Sequence, residues 1–199
     1  MAGLREQWRR SAMREIQDRA LDLFEERGFD AVTIEAVAAA AEVSPSSVYR
    51  YFGTKEGLLV ADEFDAMTAD ELTSTVDPDD PIASLLRMVR RYEARPEEIS
   101  DGRVPDAWRR VPFFFTVPSV RAALLSSADA ASKRIAPLIA RNDAFTPSQA
   151  RVLSNALTFG YLVSLELWFS DGRIRPIADY VEEGLRPLRT LWTDTAPSS

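Results

Sequence analysis

Between Val43 and Lys55 the chain carries three serines, two tyrosines, an arginine and a lysine, and no acidic side chain. Hydroxyls and phenols donate and accept hydrogen bonds, a guanidinium offers a rigid fork of donors, and an ammonium is a compact charge. Together these groups suit the reading of base edges and the gripping of phosphate oxygens. The residue types that are missing point the same way. The 199 residues include no histidine and no cysteine, so neither imidazole nor thiolate can serve as base, nucleophile or metal ligand, and no disulfide can form. Glu97 and Glu98 are the nearest thing to an acid–base pair, but adjacent helical residues face different directions. The expectation is a protein that is not an enzyme and takes no cofactor and no metal.

Two short helices must position the serine-rich stretch. Thr33 can cap a helix starting at Ile34, with Val32 stapled onto Val37. Ser44 can cap the next, with Pro45 at its first position, where a missing N–H costs nothing, and Val43 stapled onto Val48. Glu42–Val43 is the turn between them. Ile34, Val37, Ala38, Ala41, Val43, Val48 and Phe52 then bury one side of each helix and leave Ser46, Ser47, Tyr49 and Arg50 pointing elsewhere. This spacing is that of a helix-turn-helix whose second helix enters a DNA groove. Ser46, Ser47 and Arg50 would face base edges, while Thr33, Ser44, Tyr49, Tyr51 and Lys55 would position the protein on phosphates, with Pro45 in the contacting turn. A preceding helix is expected over about Ser11 to Arg27, stopped by Gly28, with Phe29 folding back onto its end. Arg5, Arg9 and Arg10 before it read either as an arm toward phosphates or the minor groove, or as a solvated terminus.

Ile16, Ala20, Leu23, Phe24, Gly28-Phe29, Thr33, Ala38, Ala41-Glu42-Val43-Ser44, Tyr49-Arg50-Tyr51-Phe52 and Lys55-Glu56-Gly57-Leu58 together resemble the DNA-binding domain of the TetR family of transcriptional regulators. The resemblance covers the first quarter to third of the chain. It implies an all-α fold, a second helical domain that binds an effector, dimerisation through the last two helices, and a fourth helix that carries ligand-induced movement. One departure is Glu42, at a turn position often held by glycine in the family. A non-glycine residue at positive φ is uncommon, and a carboxylate there would weaken non-specific attraction to phosphate.

The formal net charge of −7 becomes informative once located. Residues 1–57 carry −2, residues 58–80 carry −8 and residues 81–199 carry +3. The acidic excess thus follows the helix-turn-helix rather than lying in it, and a locally positive edge can coexist with an acidic body that limits indiscriminate binding. The start MAGLREQWRR lacks the apolar core of a secretory signal, and no uninterrupted apolar run is expected to cross a bilayer. A cytoplasmic protein without a membrane partner is the expectation.

The remainder reads as helices. A fourth is expected from Lys55, capped by Thr54, to about Leu72; others over about 81–95, 119–141 with a kink at Pro137, 147–170 behind a Thr146/Gln149 capping box, and 176–192, with short pieces over 96–118 and a disordered tail. The fold class is therefore all-α with about nine helices: a helix-turn-helix DNA-binding domain at 1–55 and a helical effector-binding and dimerisation domain at 56–199. The 147–170 helix is apolar nearly all round, so other elements must cover several of its sides. Ala156, Gly160 and Ser164 form a lane for close approach of a second helix, and with Leu153, Leu157 and Trp168 are the candidate dimer interface. Tyr92, Trp108, Phe113, Phe114, Phe159, Leu162 and Phe169 are an aromatic and apolar supply that fits either ordinary core or a small-molecule pocket. Glu166, within the apolar helix, needs a partner: an arginine, with Arg121 and Arg91 as candidates, or a cationic ligand group. Asn155 is the other polar exception there. The functional expectation is a homodimeric repressor released from a palindromic double-stranded DNA operator by a hydrophobic or aromatic small molecule. The alternative keeps the fold and makes the C-terminal region a protein-binding surface.

Overall fold

The structure is a computed structural model that describes residues 2–62, 64, 67–93 and 106–193. Over these residues it is all-α, with eleven helices and no strand. Two compact units result, residues 1–61 with 102–124 and residues 62–101 with 125–199. The expectations for Arg95, for Glu97 and Glu98, for residues 96–105 and for the tail after Thr193 lie outside the described residues, as does the side chain of Arg5.

The first unit is built on α1 (Ala2–Arg27), α2 (Ile34–Ala40), α3 (Pro45–Phe52) and α4 (Gly57–Val60). Ile16, Ala20, Leu21, Phe24, Val32, Val37, Val48, Leu58 and Leu59 form its core. Gly28 at φ 83° stops α1, and its N–H donates to the Phe24 carbonyl. Phe29 then turns back until its ring lies 5.0 Å from that of Phe24. In contrast to the expected start near Ser11, α1 begins at Ala2, so Arg9 and Arg10 continue the helix instead of forming a separate arm. Nothing in that stretch breaks a helix, since proline is absent and the one glycine, Gly3, stands at its start.

The largest correction concerns α4. A helix from Lys55 to Leu72 is expected, yet α4 ends at Val60, and α5 (Ala69–Thr75) starts again behind a Thr68/Glu71 capping box. Side chains distant in sequence explain the stop. Gln17 Nε2 donates to the carbonyls of Leu58 and Ala61 at 3.0 and 2.9 Å. Arg110 Nη1 donates to those of Leu59 and Ala61 at 3.2 and 2.7 Å. These carbonyls no longer depend on N–H groups one turn further on, which removes the usual penalty for ending a helix.

Arg110 belongs to a segment that the sequence separates widely from α1 and α4. Here α7 (Asp106–Arg109) and α8 (Val111–Thr116) bring Val111 and Phe114 into the first unit's core. Phe113 meets Phe24 edge-on at 6.0 Å. Arg109 donates to Asp22 and bidentately to Glu25 on α1 at 2.7 to 3.0 Å. Burial pushes the Glu56 carboxyl up, but hydrogen bonds from its own backbone N–H, from Ser119 and from Thr54 outweigh this and hold it below its ordinary value.

The second unit contains α5, α6 (Pro81–Glu93), most of α9 (Pro118–Ile139, with Pro137 inside), α10 (Pro147–Ser170) and α11 (Ile177–Thr193). Thr146 and Gln149 form the expected capping box ahead of α10. Gly172 at φ 73° follows its end, and α11 returns alongside. By length and composition alone α10 is apolar enough to cross a membrane, although Arg151, Asn155 and Glu166 interrupt its apolar run; helices of soluble cores meet that test too. In this fold part of its apolar surface has a local use. A Cβ on Gly160 would stand 2.6 Å from Leu185 Cδ2, and one on Gly184 would stand 2.8 Å from Ser164 Oγ. The small residues of α10 are therefore what lets α11 of the same chain come close.

Candidate nucleic-acid interface

The α2–turn–α3 geometry follows from its caps. The Ala36 N–H donates to Thr33 Oγ1 at 3.2 Å, and the Ser47 N–H to Ser44 Oγ at 3.2 Å. Glu42 adopts φ 55°, with its N–H on the Ala39 carbonyl and the Val43 N–H on the Ala38 carbonyl, the crossed pair that ends a helix through a left-handed residue. That conformation costs a side-chain-bearing residue on the order of 1–2 kcal/mol. Glu42→Gly is accordingly expected to stabilise the protein by about 1 kcal/mol in urea unfolding and to strengthen binding to random-sequence DNA at low salt. An unchanged midpoint would mean that the turn has already absorbed the strain.

With Val48 and Phe52 buried below, Thr33, Ser44, Pro45, Ser46, Tyr49 and Arg50 are exposed, while Ser47, Tyr51 and Lys55 are half-buried. All nine residues lie in the first unit. Ser44 Oγ is 2.9 Å from the hydroxyls of both Ser46 and Ser47, so the cap and two reading candidates share one hydrogen-bonded cluster. Arg50 Nη2 donates to Tyr51 Oη at 3.1 Å, with the guanidinium 4.8 Å from the Tyr51 ring centroid. Tyr51 therefore holds Arg50 in addition to any contact of its own.

Lys55 is differently placed from what its sequence position implies. Its ammonium donates to the carbonyls of Phe29 and Val32 at 2.9 and 3.2 Å and lies 4.2 Å from the Phe29 ring centroid. It clamps the entry of α4 to the α1–α2 connection, leaving one of three donors for a phosphate. No local pattern announces this clamp, because its acceptors are backbone atoms more than twenty residues earlier.

The candidate effector residues divide between the units. Trp108, Phe113 and Phe114 belong to the first, where Phe114 is buried and Phe113 packs on Phe24. Tyr92, Phe159, Leu162, Glu166 and Phe169, all half-buried, belong to the second. There the Arg173 guanidinium covers both Trp168 and Phe169 at 5.4 Å. Arg121 lies over Phe115 in the first unit at 5.5 Å. Asn155 accepts from Ser132 at 2.7 Å and from Arg151 at 3.2 Å. Lys133 and Arg151 both bond Asp129, and hydrogen bonds first from Lys133 and then from Arg151 hold its carboxyl below the ordinary value.

Of the candidate dimer residues, Leu157, Ser164 and Trp168 are buried within the single chain and Gly160 lies under Leu185; Leu153 and Ala156 are half-buried. The apolar surface left uncovered on α10 is a different stripe. Val152, Val163 and Leu167 are 67, 55 and 56 % exposed. With half-buried Ala156 and Phe159 they follow the i, i+4, i+7, i+11, i+15 spacing of one helical face. That spacing is present in the sequence but is hidden by the apolar residues on the other faces. Among the described residues no cluster of carboxylates is placed to hold a metal ion.

Residues 16–61 match the sequence profile of the family described as bacterial regulatory proteins, tetR family. The curated proteins include no match to the chain. Among solved structures, NalD, the secondary repressor of the MexAB-OprM multidrug efflux pump in Pseudomonas aeruginosa, is similar at TM-score 0.54 and 21 % identity, covering 91 % of this chain and 96 % of that one. A SmeT–triclosan complex is similar at TM-score 0.55 and 18 % identity over 89 and 91 % of the two chains; SmeT is the repressor of the Stenotrophomonas maltophilia multidrug efflux pump SmeDEF. The fatty acid degradation regulator FadR from Bacillus halodurans is similar at TM-score 0.53 and 14 % identity over 87 and 92 %. At these identities the likeness is one of fold.

Proposed function

We propose, from the premise that residues 16–61 are a tetR-family N-terminal domain, that this chain is a homodimeric transcriptional repressor which leaves a palindromic operator when a small hydrophobic molecule binds it. The observation that carries the reading is α3: capped, free of acidic residues, anchored by Val48 and Phe52, and presenting Ser46 and Arg50 outward. A single such helix contacts only a few base pairs. Two of them, about one DNA turn apart on a symmetric dimer, specify a palindrome. In functional terms residues 1–55 read DNA and residues 56–199 dimerise and sense. Residues 106–124, which pack with the reading unit, are the part of the sensing region best placed to influence it.

Effector release follows from linkage. A ligand that prefers the conformation unsuited to DNA must weaken DNA binding by the same free energy with which DNA weakens ligand binding. The SmeT–triclosan complex supports a small apolar effector as the class to test here.

The reading is tested by selection from a random double-stranded DNA library at near-physiological salt, with Arg50→Ala and Lys55→Ala in parallel. The wild-type chain is expected to yield a palindrome. Arg50→Ala should relax one or two positions in each half-site, at roughly 1–3 kcal/mol of lost discrimination. Lys55→Ala should keep the same consensus, weaken all sequences alike, and lower the unfolding midpoint because two carbonyls lose their donor. Recovery of no motif by folded wild-type protein would overturn the proposal. Uniform weakening by Arg50→Ala would remove its base-reading role.

A further inference from the structure

We propose that Arg110 is the receptor for an anionic group on the effector, which makes the effector a hydrophobic acid. The proposal rests on the effector-released repressor described above and names its ligand class. Arg109 and Arg110 are adjacent but placed in opposite circumstances. Arg109, with its side chain 12 % exposed, is neutralised by two carboxylates, Asp22 and Glu25. Arg110 is half-buried and has no carboxylate partner among the described residues. Its Nη1 is engaged by the carbonyls of Leu59 and Ala61, and its Nε is buried without any hydrogen-bond partner. A buried donor left unpaired is costly.

The unused part of the guanidinium is informative. With Nη1 committed to backbone carbonyls, the edge formed by Nε and Nη2 remains, and this is an edge that a carboxylate can take with two parallel hydrogen bonds. The same short segment carries the half-buried rings of Trp108 and Phe115, apolar surface that suits the rest of such a molecule. Occupation has a direct consequence for the reading unit. A carboxylate neutralises the charge that strengthens the bonds from Nη1 to Leu59 and Ala61, and those bonds fix the end of α4. The ligand therefore acts on the first unit through the residue that binds it, and DNA that requires α4 in its present form must oppose the ligand.

The test compares acid with neutral isostere on the full chain, in the absence of DNA: decanoate against decanamide and 2-naphthoate against 2-naphthamide, by equilibrium dialysis. At least one acid should bind tenfold or more tightly than its amide, and Arg110→Gln should make that pair equal. Arg110→Lys, which keeps the charge but loses the fork, should retain part of the preference, with helicity confirmed by circular dichroism for both variants. Arg109→Gln should lower the unfolding midpoint and leave the preference unchanged. Acids binding wild-type protein no better than their amides would overturn the proposal, as would a preference that survives in Arg110→Gln. Because no DNA is present, failure here leaves the operator-binding reading standing, and failure to select an operator leaves an acid–amide difference intact.

Discussion

Gly57→Ala should destabilise the first unit by about 3 kcal/mol or more, at the upper end of what overpacking costs, and should abolish operator binding. Gly57 is buried at the start of α4, and a Cβ built there falls well inside van der Waals contact with the carbonyl oxygen and carbon of Phe52. A flexible side chain could swing aside, but the last carbonyl of α3 cannot. That carbonyl accepts from Thr54 N–H at 2.8 Å, while Gly57 N–H donates to Thr54 Oγ1 at 3.1 Å. The α3–α4 connection is thus closed from both sides, and relief requires α3 to tilt or α4 to withdraw. Either movement displaces Ser46 and Arg50. Urea unfolding followed by circular dichroism, with operator binding measured on the same preparations, checks both parts. An alanine variant with the wild-type midpoint would show that the connection has slack the present packing does not suggest.

Introducing charge into the exposed stripe of α10 should have the second large effect. Val163→Arg combined with Leu167→Arg is expected to give a folded monomer by sedimentation, with operator affinity reduced on the order of a hundredfold as the second half-site ceases to be held nearby. The residues facing α11 are unsuitable for this purpose, since altering Leu157 or Ser164 would disturb the fold of the single chain. A double variant that remains dimeric would place the interface elsewhere, and a monomeric wild-type protein would favour a protein partner for the stripe.

Local chemistry made the helix-turn-helix legible from sequence. Thr33, Ser44 and Pro45 act within four residues of themselves, and the left-handed conformation of Glu42 follows from the shortness of the turn between two apolar helices. The same reasoning located Gly28, the Thr146 capping box and the end of α10 near Gly172. It failed where the deciding partner is distant. Lys55 looks like a free ammonium at a helix start because nothing nearby reveals that the Phe29 and Val32 carbonyls will stand beside it. Phe113 and Phe114 look equally suited to pocket and core until Phe24 is placed against one of them.

By itself, then, the sequence determined the all-α class, the positions of the two short capped helices and the turn between them, and the exclusion of thiol, imidazole and disulfide chemistry, because caps, turns and residue types act locally or by their absence. Only the tertiary structure decided three further matters. It ended α4 at Val60, because Gln17 and Arg110, more than forty residues away on either side, supply donors that a continuing helix would otherwise provide. It chose which face of an all-apolar α10 meets α11 and which stays open, because Gly160 and Gly184 admit close approach on one side alone. And it gave Arg109 two carboxylates and Arg110, among the described residues, none, a difference between adjacent arginines that no local rule distinguishes.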